Sequence, residues 1–290
     1  MKPKYLLFSF FAKLLAYAPF WFLHGFSDFL YLIVYKTLGY RKKVVRENLK
    51  NSFPEKTDGE LYTIEKKYYH HLCDIIVENL KVPGMSEKTL RRRVKTINPE
   101  VLRNLYDKGK SVFLVIGHIG NWEWTGSLIG LDYSFQGCAI IKPLNDQWFH
   151  HFMHEKIRRH FYPLQLIPFK QTYRTLLGQK DQQLITVIAS DQTPTESEIN
   201  YWTTFLHQET GFFLGIEKMS KGLDYAVVYM DTKKRGRSRY DIQFELITDN
   251  AKETDAYEIT DKYVECLEDS ICNQPENWLW SHRRWKYKRK

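Results

Sequence analysis

The chain has 290 residues, which is enough for one large α/β domain with an appended segment. Its 43 Lys and Arg exceed its 34 Asp and Glu, and the resulting formal charge of +9 favours an anionic partner such as a phosphate-bearing lipid, a membrane surface or nucleic acid. The sequence contains no glycine-rich phosphate loop and no G-x-S-x-G, so ATP, NAD and the commonest serine hydrolase site are not implied.

The content of aromatic residues and cysteines indicates where in the cell the protein acts. The 8 Trp, 19 Tyr and 18 Phe exceed what a core of this size needs, and Trp and Tyr favour the boundary between membrane and water. The four cysteines are scattered without a C-x-x-C pair, which predicts reduced thiols in a cytoplasmic domain and argues against a zinc site or a disulfide framework. They are Cys73, Cys138, Cys266 and Cys272.

Residues 5–35 form an apolar stretch with a few interruptions, namely Lys13, Pro19, His24, Gly25 and Asp28. A helix needs about 20 apolar residues to cross a bilayer core about 30 Å thick, so this stretch either spans poorly or lies in the interface. A buried pair of soluble helices is the alternative. The cations that follow it should stay in the cytoplasm. We therefore interpret residues 1–40 as a helical membrane anchor and residues 41–290 as the main domain.

The segment between the apolar stretch and the first predicted strand is helical in pattern and mixed in charge. Apolar residues recur at steps of three and four, and residues 51–54 break the pattern into two helices that serve packing. Arg91, Arg92 and Arg93 form a basic run. Such a run is usually a solvated face, but next to a bilayer it could hold lipid phosphates.

The most informative stretch is SVFLVIGHIGNWEWTGSLIG, residues 111–130. Five of its first six residues are apolar and three are β-branched, and Gly117 follows them, which predicts a buried strand that ends just before His118. Asn121 is a favoured N-cap, so a helix should begin there with Glu123 in its first turn. Glu123 could then turn back and orient His118, and such a pair suits general-base activation of a hydroxyl or water. A purely structural His–Glu hydrogen bond is the alternative.

Strand and helix patterns alternate after this stretch. This alternation predicts an α/β fold with a mostly parallel central sheet covered by helices. A later strand at 240–248 alternates polar and apolar residues, as at a sheet edge. The predicted strands are 111–116, 137–141, 164–168, 184–189, 225–230 and 240–248, and the predicted helices are 145–160, 171–179 and 255–272.

Two pairs of polar residues could join His118. Asp191 and Gln192 follow a predicted strand, so in a parallel sheet they emerge at the same edge as His118, with an Asx-type turn as the alternative. Arg158 and Arg159 close a predicted helix. Either could hold a phosphate through its planar guanidinium, or simply complement the helix dipole.

Two histidines have a spacing that can bind metal. His150 and His154 lie four residues apart on a predicted helix, but no third ligand is evident and the segment is not H-E-x-x-H. We therefore predict no metal site.

GHIGNWEW resembles the H-x4-D/E motif of membrane acyltransferases. The fuller pattern is similar to the late (secondary) acyltransferases of lipid A biosynthesis, the lauroyl/myristoyl transferase family. The similarity covers nearly the whole chain through the apolar N-terminus, RENLKNSFP, the His/Glu motif, the Asp-Gln loop and WLWSHRRWK near the end. The family usually has an Arg followed by Gly a few residues on. This chain lacks that Gly, so the resemblance does not choose between Arg158 and Arg159.

The resemblance implies an acyltransferase on the cytoplasmic face of a bacterial inner membrane. It would move a fatty acyl chain from an acyl-carrier-protein or coenzyme A thioester to a hydroxyl of an anionic glycolipid, a lipid A precursor bearing Kdo sugars, although aminolipids or aryl-polyene-type lipids stay open as acceptors. His118 would be the general base and Glu123 its partner. The substrate-binding residues would be Asn121, Arg158, Arg159, Asp191 and Gln192.

The resemblance implies no cofactor beyond the thioester co-substrate. It also favours lipid headgroups over nucleic acid as the contact of the C-terminal tail, residues 278–290, where aromatic and cationic side chains alternate. Two other functions stay open. One is a hydrolase of lipid esters or thioesters that uses the same His/Glu pair with water, and the other is a non-catalytic membrane- or nucleic-acid-binding protein.

Overall fold

The computed structural model describes residues 3–289. Its centre is a seven-stranded sheet with the strand order β1-β9-β8-β2-β5-β3-β4, and a separate hairpin pairs β6 with β7. The strands are β1 (Val94–Thr96), β2 (Val112–Ile116), β3 (Gln136–Ile141), β4 (Gln165–Pro168), β5 (Leu184–Ala189), β6 (Tyr201–Phe205), β7 (Gln208–Phe212), β8 (Ala226–Gly236) and β9 (Arg239–Thr248).

Helices cover both faces of this sheet. Two of them, α2 and α8, run on into π-helical turns at Leu32–Thr37 and Phe152–Arg158. The helices are α1 (Pro3–Tyr17), α2 (Phe20–Tyr31), α3 (Lys42–Ser52), α4 (Asp58–Lys81), α5 (Glu87–Arg93), α6 (Glu100–Asp107), α7 (Trp122–Asp132), α8 (Gln147–His151), α9 (Thr172–Leu177), α10 (Gly215–Leu223) and α11 (Glu258–Asn273).

The sheet is mostly parallel, as the alternating pattern predicts. Strand β2 pairs in parallel with β5 and β8, and all five of its residues are buried because helices lie on both faces. The prediction that 240–248 is a sheet edge is wrong. Strand β9 pairs antiparallel with β8 on one side and parallel with the short β1 on the other, so β1 is the edge strand.

The N-terminal helices pack against the domain. Leu15 of α1 and Leu23 of α2 are buried in one cluster with Val77 of α4. Among residues 3–289, no helix is both long and apolar enough to cross a bilayer, and α1 and α2 are separated at Pro19. Their outer faces nevertheless expose large apolar side chains: Leu6, Leu7, Phe10, Phe11, Leu14, Tyr17, Trp21, Phe22 and Phe29.

The C-terminal tail differs most from the prediction. Trp278 and Trp280 are 2% and 0% exposed, and Arg284 is 2% exposed, so these three residues of the expected headgroup-binding tail belong to the core. Trp278 forms an isolated β-bridge with Ile119 in the loop after β2. The tail therefore closes over the strand ends instead of presenting its rings to lipid.

Candidate functional site

The site begins in the loop that joins β2 to α7. Two glycines allow the chain to turn in a crowded place. A Cβ on Gly117 would lie 2.6 Å from Leu267, and Gly120 has a φ of +61° that side chains rarely adopt. The Gly120 N–H donates to the Asn277 carbonyl at 3.0 Å, which fixes the loop to the residue just before the C-terminal tail. The loop therefore holds His118 in a fixed position at the carboxyl end of the sheet.

Asp191 lies beside His118 because β2 and β5 are neighbours. Ile116 is in register with Ala189, so residues two positions further on leave the sheet at the same level. His118 Nδ1 is 2.6 Å from one Asp191 oxygen, and the His118 backbone N–H donates to the other at 2.8 Å. Trp278 donates its indole N–H to that second oxygen at 2.7 Å. Three contacts thus fix one carboxylate against one imidazole.

The charges of the pair stabilise each other. Burial raises the pKa of Asp191, but the charge and hydrogen bonds of His118, with the Trp278 bond, outweigh it and lower this pKa to about 2. Burial lowers the pKa of His118, yet the Asp191 charge and hydrogen bond raise it above its usual 6.5 overall. An ionised carboxylate only accepts hydrogen bonds, so His118 carries its proton on Nδ1. The neutral ring therefore offers the Nε2 lone pair as a base.

The prediction that Glu123 is the partner of His118 is wrong, because Glu123 is bonded to Arg158 instead. Glu123 lies in the first turn of α7, where its carboxylate accepts three hydrogen bonds of 2.7–3.1 Å from Nε and Nη2 of Arg158. Asp191 occupies the place at the imidazole instead. Glu123 still acts on His118 through space, since its charge contributes to the raised pKa of the imidazole.

The structure separates the two arginines. Arg158, the last residue of the π-helical turn after α8, faces the site through Glu123. Arg159 points away: it pairs with Glu155 at 2.7 Å and donates to the Leu164 carbonyl. Arg159 thus stays on the surface of its own helix and is not brought to the site.

Gln192 and Asn121 have different surroundings. The Gln192 amide nitrogen is 3.4 Å from His118 Nε2, at the open side of the ring. Asn121 is fully buried and caps α7 by accepting from the Trp124 N–H at 3.1 Å, as its residue type predicts. The buried Asn121 side chain holds the helix in place, and its role in binding substrate stays a prediction.

Sequence reasoning missed a supporting carboxyl group beneath the loop. Glu78 of α4 is 1% exposed and accepts at 2.8 Å from both the Asn121 amide and the Tyr240 hydroxyl. Burial raises the pKa of Glu78, and the Asn121 hydrogen bond lowers it in part. A Glu in mid-helix resembles any surface charge in sequence, so only its position on the buried face of α4 could have indicated this role.

An apolar cavity of about 390 Å³ has His282 in its lining, while neither His118 nor Asp191 lines it. One wall contains His282, whose Nε2 accepts from the Thr193 N–H at 3.0 Å, two residues after Asp191. Burial lowers the pKa of His282 to about 4, so this ring is neutral near pH 7. The cavity is lined by Val34, Leu38, Tyr40, Arg41, Leu72, Ile76, Leu279, Ser281 and His282.

The arrangement of His118 and Asp191 suits proton transfer. His118 is 18% exposed, Asp191 is sealed behind it, and the edge of Trp122 packs on the imidazole with ring centroids 4.9 Å apart. His150 and His154 hydrogen bond to each other at 3.0 Å, and no group of three or more potential metal ligands occurs among residues 3–289.

Comparison with protein families gives an independent result. Residues 1–287 match the family described as bacterial lipid A biosynthesis acyltransferase. A search of curated proteins returned no match. The family match covers almost the entire chain, including both strand ends that carry the His/Asp pair. The chain therefore belongs to the bacterial lipid A biosynthesis acyltransferases, and it is an enzyme that transfers acyl groups in lipid A biosynthesis.

Proposed function

We propose that this acyltransferase moves a fatty acyl chain from an acyl-carrier-protein or coenzyme A thioester to a hydroxyl of a lipid A precursor or a related bacterial membrane lipid, with His118 as the general base. The observation that carries the proposal is the 2.6 Å contact between His118 Nδ1 and buried Asp191 at the ends of two neighbouring parallel strands. It leaves Nε2 as the proton acceptor on the open side of the ring.

The reaction follows from this tautomer. His118 Nε2 removes the proton of the acceptor hydroxyl while its oxygen attacks the thioester carbonyl. The tetrahedral intermediate collapses with cleavage of the C–S bond, and the proton on Nε2 passes to the leaving thiolate. Asp191 stabilises the imidazolium between the two transfers. A covalent acyl-enzyme is unnecessary because both substrates are held together in one site.

The other residues of the site act on binding. Glu123 holds the guanidinium of Arg158 through Nε and Nη2, which leaves Nη1 outside this pair. We assign to Nη1 the role of donating to a substrate oxygen, either a phosphate or the thioester carbonyl. The apolar cavity beside His282 is a suitable place for an acyl chain, since five aliphatic side chains contribute to its lining.

Membrane contact is supported by the exposed faces of α1 and α2. Leu7, Tyr17 and Trp21 are 61%, 69% and 75% exposed, and a run of such residues is costly in water. Each helix packs on α4 through one face and exposes apolar side chains on the other. We therefore propose that α1 and α2 lie on the cytoplasmic face of the inner membrane, with their outer faces in the interface.

The proposal is tested with purified protein in detergent. Acyl-carrier-protein and coenzyme A thioesters are each supplied with and without the lipid acceptor, and both free thiol and acylated lipid are measured. Transfer predicts thiol release that depends on the acceptor and matches the lipid product. Thiol release that is independent of the acceptor would support the hydrolase instead, and activity retained by His118→Ala would remove the assigned base.

A further inference from the structure

A second cavity, of about 440 Å³, lies at the corner between α1 and α2, away from the His/Asp pair. It is strongly basic: four of its lining residues are cations, and no acidic side chain contributes to the lining among residues 3–289. We call it the basic cavity. It is lined by Phe20, Lys81, Gly84, Met85, Ser86, Thr89, Arg92, Arg93 and Arg239.

Two of these cations hold the corner together. Lys81 donates to the carbonyls of Ala16 and Ala18, at the end of α1, at 2.7 and 2.9 Å. Arg93 donates to the Ser238 carbonyl at 3.0 Å and stacks its guanidinium on the Phe20 ring. These partners are carbonyl groups and an aromatic ring, so the contacts themselves do not neutralise the two positive charges.

Arg92 and Arg239 are exposed, and no ion pair involves either of them within residues 3–289. Arg91, on the same helix α5, is different because it pairs with both Glu87 and Asp132. Arg93 also lies among other cations: burial lowers its pKa first, the charges of Arg239 and Arg92 lower it further, and the charge of Glu78 opposes them in part. An anion entering the cavity would relieve the repulsion among these cations.

The position of the basic cavity indicates which kind of anion it binds. Phe20 forms one wall, and the next residue, Trp21, is 75% exposed on the apolar face of α2. Tyr17, on the other side of the corner, is 69% exposed. An amphiphile whose chains lie beside these rings would bring its headgroup to the cavity mouth. Guanidinium groups bind phosphate oxygens bidentately, and the hydroxyls of Ser86 and Thr89 can add hydrogen bonds.

We propose that the basic cavity binds the phosphate group of a membrane lipid and so fixes the α1–α2 corner against the bilayer. The inference rests on the membrane contact proposed above and not on the chemistry of His118. The phosphate belongs either to a bulk anionic phospholipid or to the glycolipid acceptor, and both sources would present the same phosphate oxygens to Arg92 and Arg239.

The test compares two variants with the same change in net charge. Arg92→Gln/Arg239→Gln removes the two exposed cations of the basic cavity. Lys88→Gln/Lys95→Gln removes two exposed cations of the same region that do not line the cavity. Neither Arg92 nor Arg239 holds the fold through an ion pair, so the first variant should remain folded, which circular dichroism checks. Flotation of the full chain with vesicles of phosphatidylcholine, alone or mixed with phosphatidylglycerol, measures binding without any acyl donor.

We expect the affinity of Arg92→Gln/Arg239→Gln for the anionic vesicles to fall about 30-fold, equivalent to about 2 kcal/mol for two cations at an anionic surface. The control variant should lose at most a few-fold. Equal losses in both variants, or no loss in the first, would overturn the proposal. Vesicles that contain a phosphorylated lipid A precursor distinguish the source: a selective loss there assigns the phosphate to the acceptor, and equal loss on both surfaces assigns it to anionic lipid in general.

Discussion

Replacing Asp191 by Asn tests the His/Asp pair most specifically. The Asp191 oxygens accept from three N–H groups: the His118 ring, the His118 backbone and the Trp278 indole. In Asp191→Asn, the side-chain oxygen can still accept from the His118 backbone N–H and the Trp278 indole N–H. The amide NH2 group then points toward His118 Nδ1. Nδ1 must then accept instead of donate, so the ring proton moves to Nε2 and the base loses its lone pair.

The size of the effect follows from the charge that is lost. A carboxylate about 4 Å from an imidazolium contributes about 4 kcal/mol at an effective dielectric constant of about 20. Converted through transition-state theory, this is about a thousandfold in rate, which lies within the range of general-base catalysis. We therefore expect Asp191→Asn to lower kcat by about a thousandfold while its KM for the thioester changes little, because Asp191 is buried and does not face the substrates.

The assay is the acceptor-dependent transfer of acyl groups as a function of pH. In the wild-type enzyme kcat/KM should rise with pH as His118 loses its proton, with a midpoint above 6.5 because Asp191 raises the pKa of the imidazole. In Asp191→Asn the midpoint should move to lower pH, since burial then acts without the opposing charge. A variant with wild-type kcat and an unchanged midpoint would refute the reasoning.

Glu123→Gln is the matched control, because it removes a carboxylate from the same region without touching the 2.6 Å contact. The charge of Glu123 raises the pKa of His118 less than the charge of Asp191 does. The midpoint should therefore shift in the same direction but by less. A larger shift in Glu123→Gln than in Asp191→Asn would restore Glu123 as the principal partner of His118.

Two further predictions concern the surroundings of the pair. Trp278→Phe should lower kcat/KM by about tenfold and raise the pKa of Asp191, because a hydrogen bond to a charged group contributes about 1.5–3 kcal/mol. The control Trp280→Phe loses only a hydrogen bond to a backbone carbonyl, so it should reduce thermal stability with little change in the pH profile. Glu123→Gln and Arg158→Gln should each lower the free energy of unfolding, measured in urea, by about 1–3 kcal/mol. The double variant should lose less stability than the sum of the two single losses. Strictly additive losses would show that the two side chains are not coupled.

The location of the site was predictable from sequence because it depends on short-range patterns. The apolar run before Gly117 predicted β2 within one residue, and the run at 184–189 matches β5. The rule that parallel strands end at one edge then places His118 and Asp191 together. The hydrogen bonds themselves depend on register, and the register of Ile116 with Ala189 is a long-range property of the sheet.

The partners within the site were not predictable in this way. Glu123 is close to His118 in the chain, but the first turn of α7 directs it to Arg158, which arrives from 35 residues away. Trp278 is 87 residues from Asp191, and its neighbourhood of rings and cations resembled a lipid-contacting tail. In sequence, a buried Trp that donates one hydrogen bond looks the same as an interfacial Trp.

The end of β8 was also not predictable from the local composition. The apolar run predicted a strand that ends at Met230, whereas β8 continues to Gly236 through a charged segment. Its partner β9 supplies the missing stability through an antiparallel hairpin that reaches beyond the end of β2. Tyr240, which supports Glu78 beneath the His118 loop, lies in β9 and pairs with Lys234 of this extension.

The central claim is that His118 transfers an acyl chain to a lipid hydroxyl with Asp191 as its partner. It is tested most directly by mass spectrometry of the lipids from cells whose own copy of the gene encodes His118→Ala, compared with wild-type cells at matched protein levels. The account predicts that one lipid A-type species loses the mass of a single acyl chain and that its less acylated precursor accumulates. Lipids of unchanged acylation in the His118→Ala cells would contradict it.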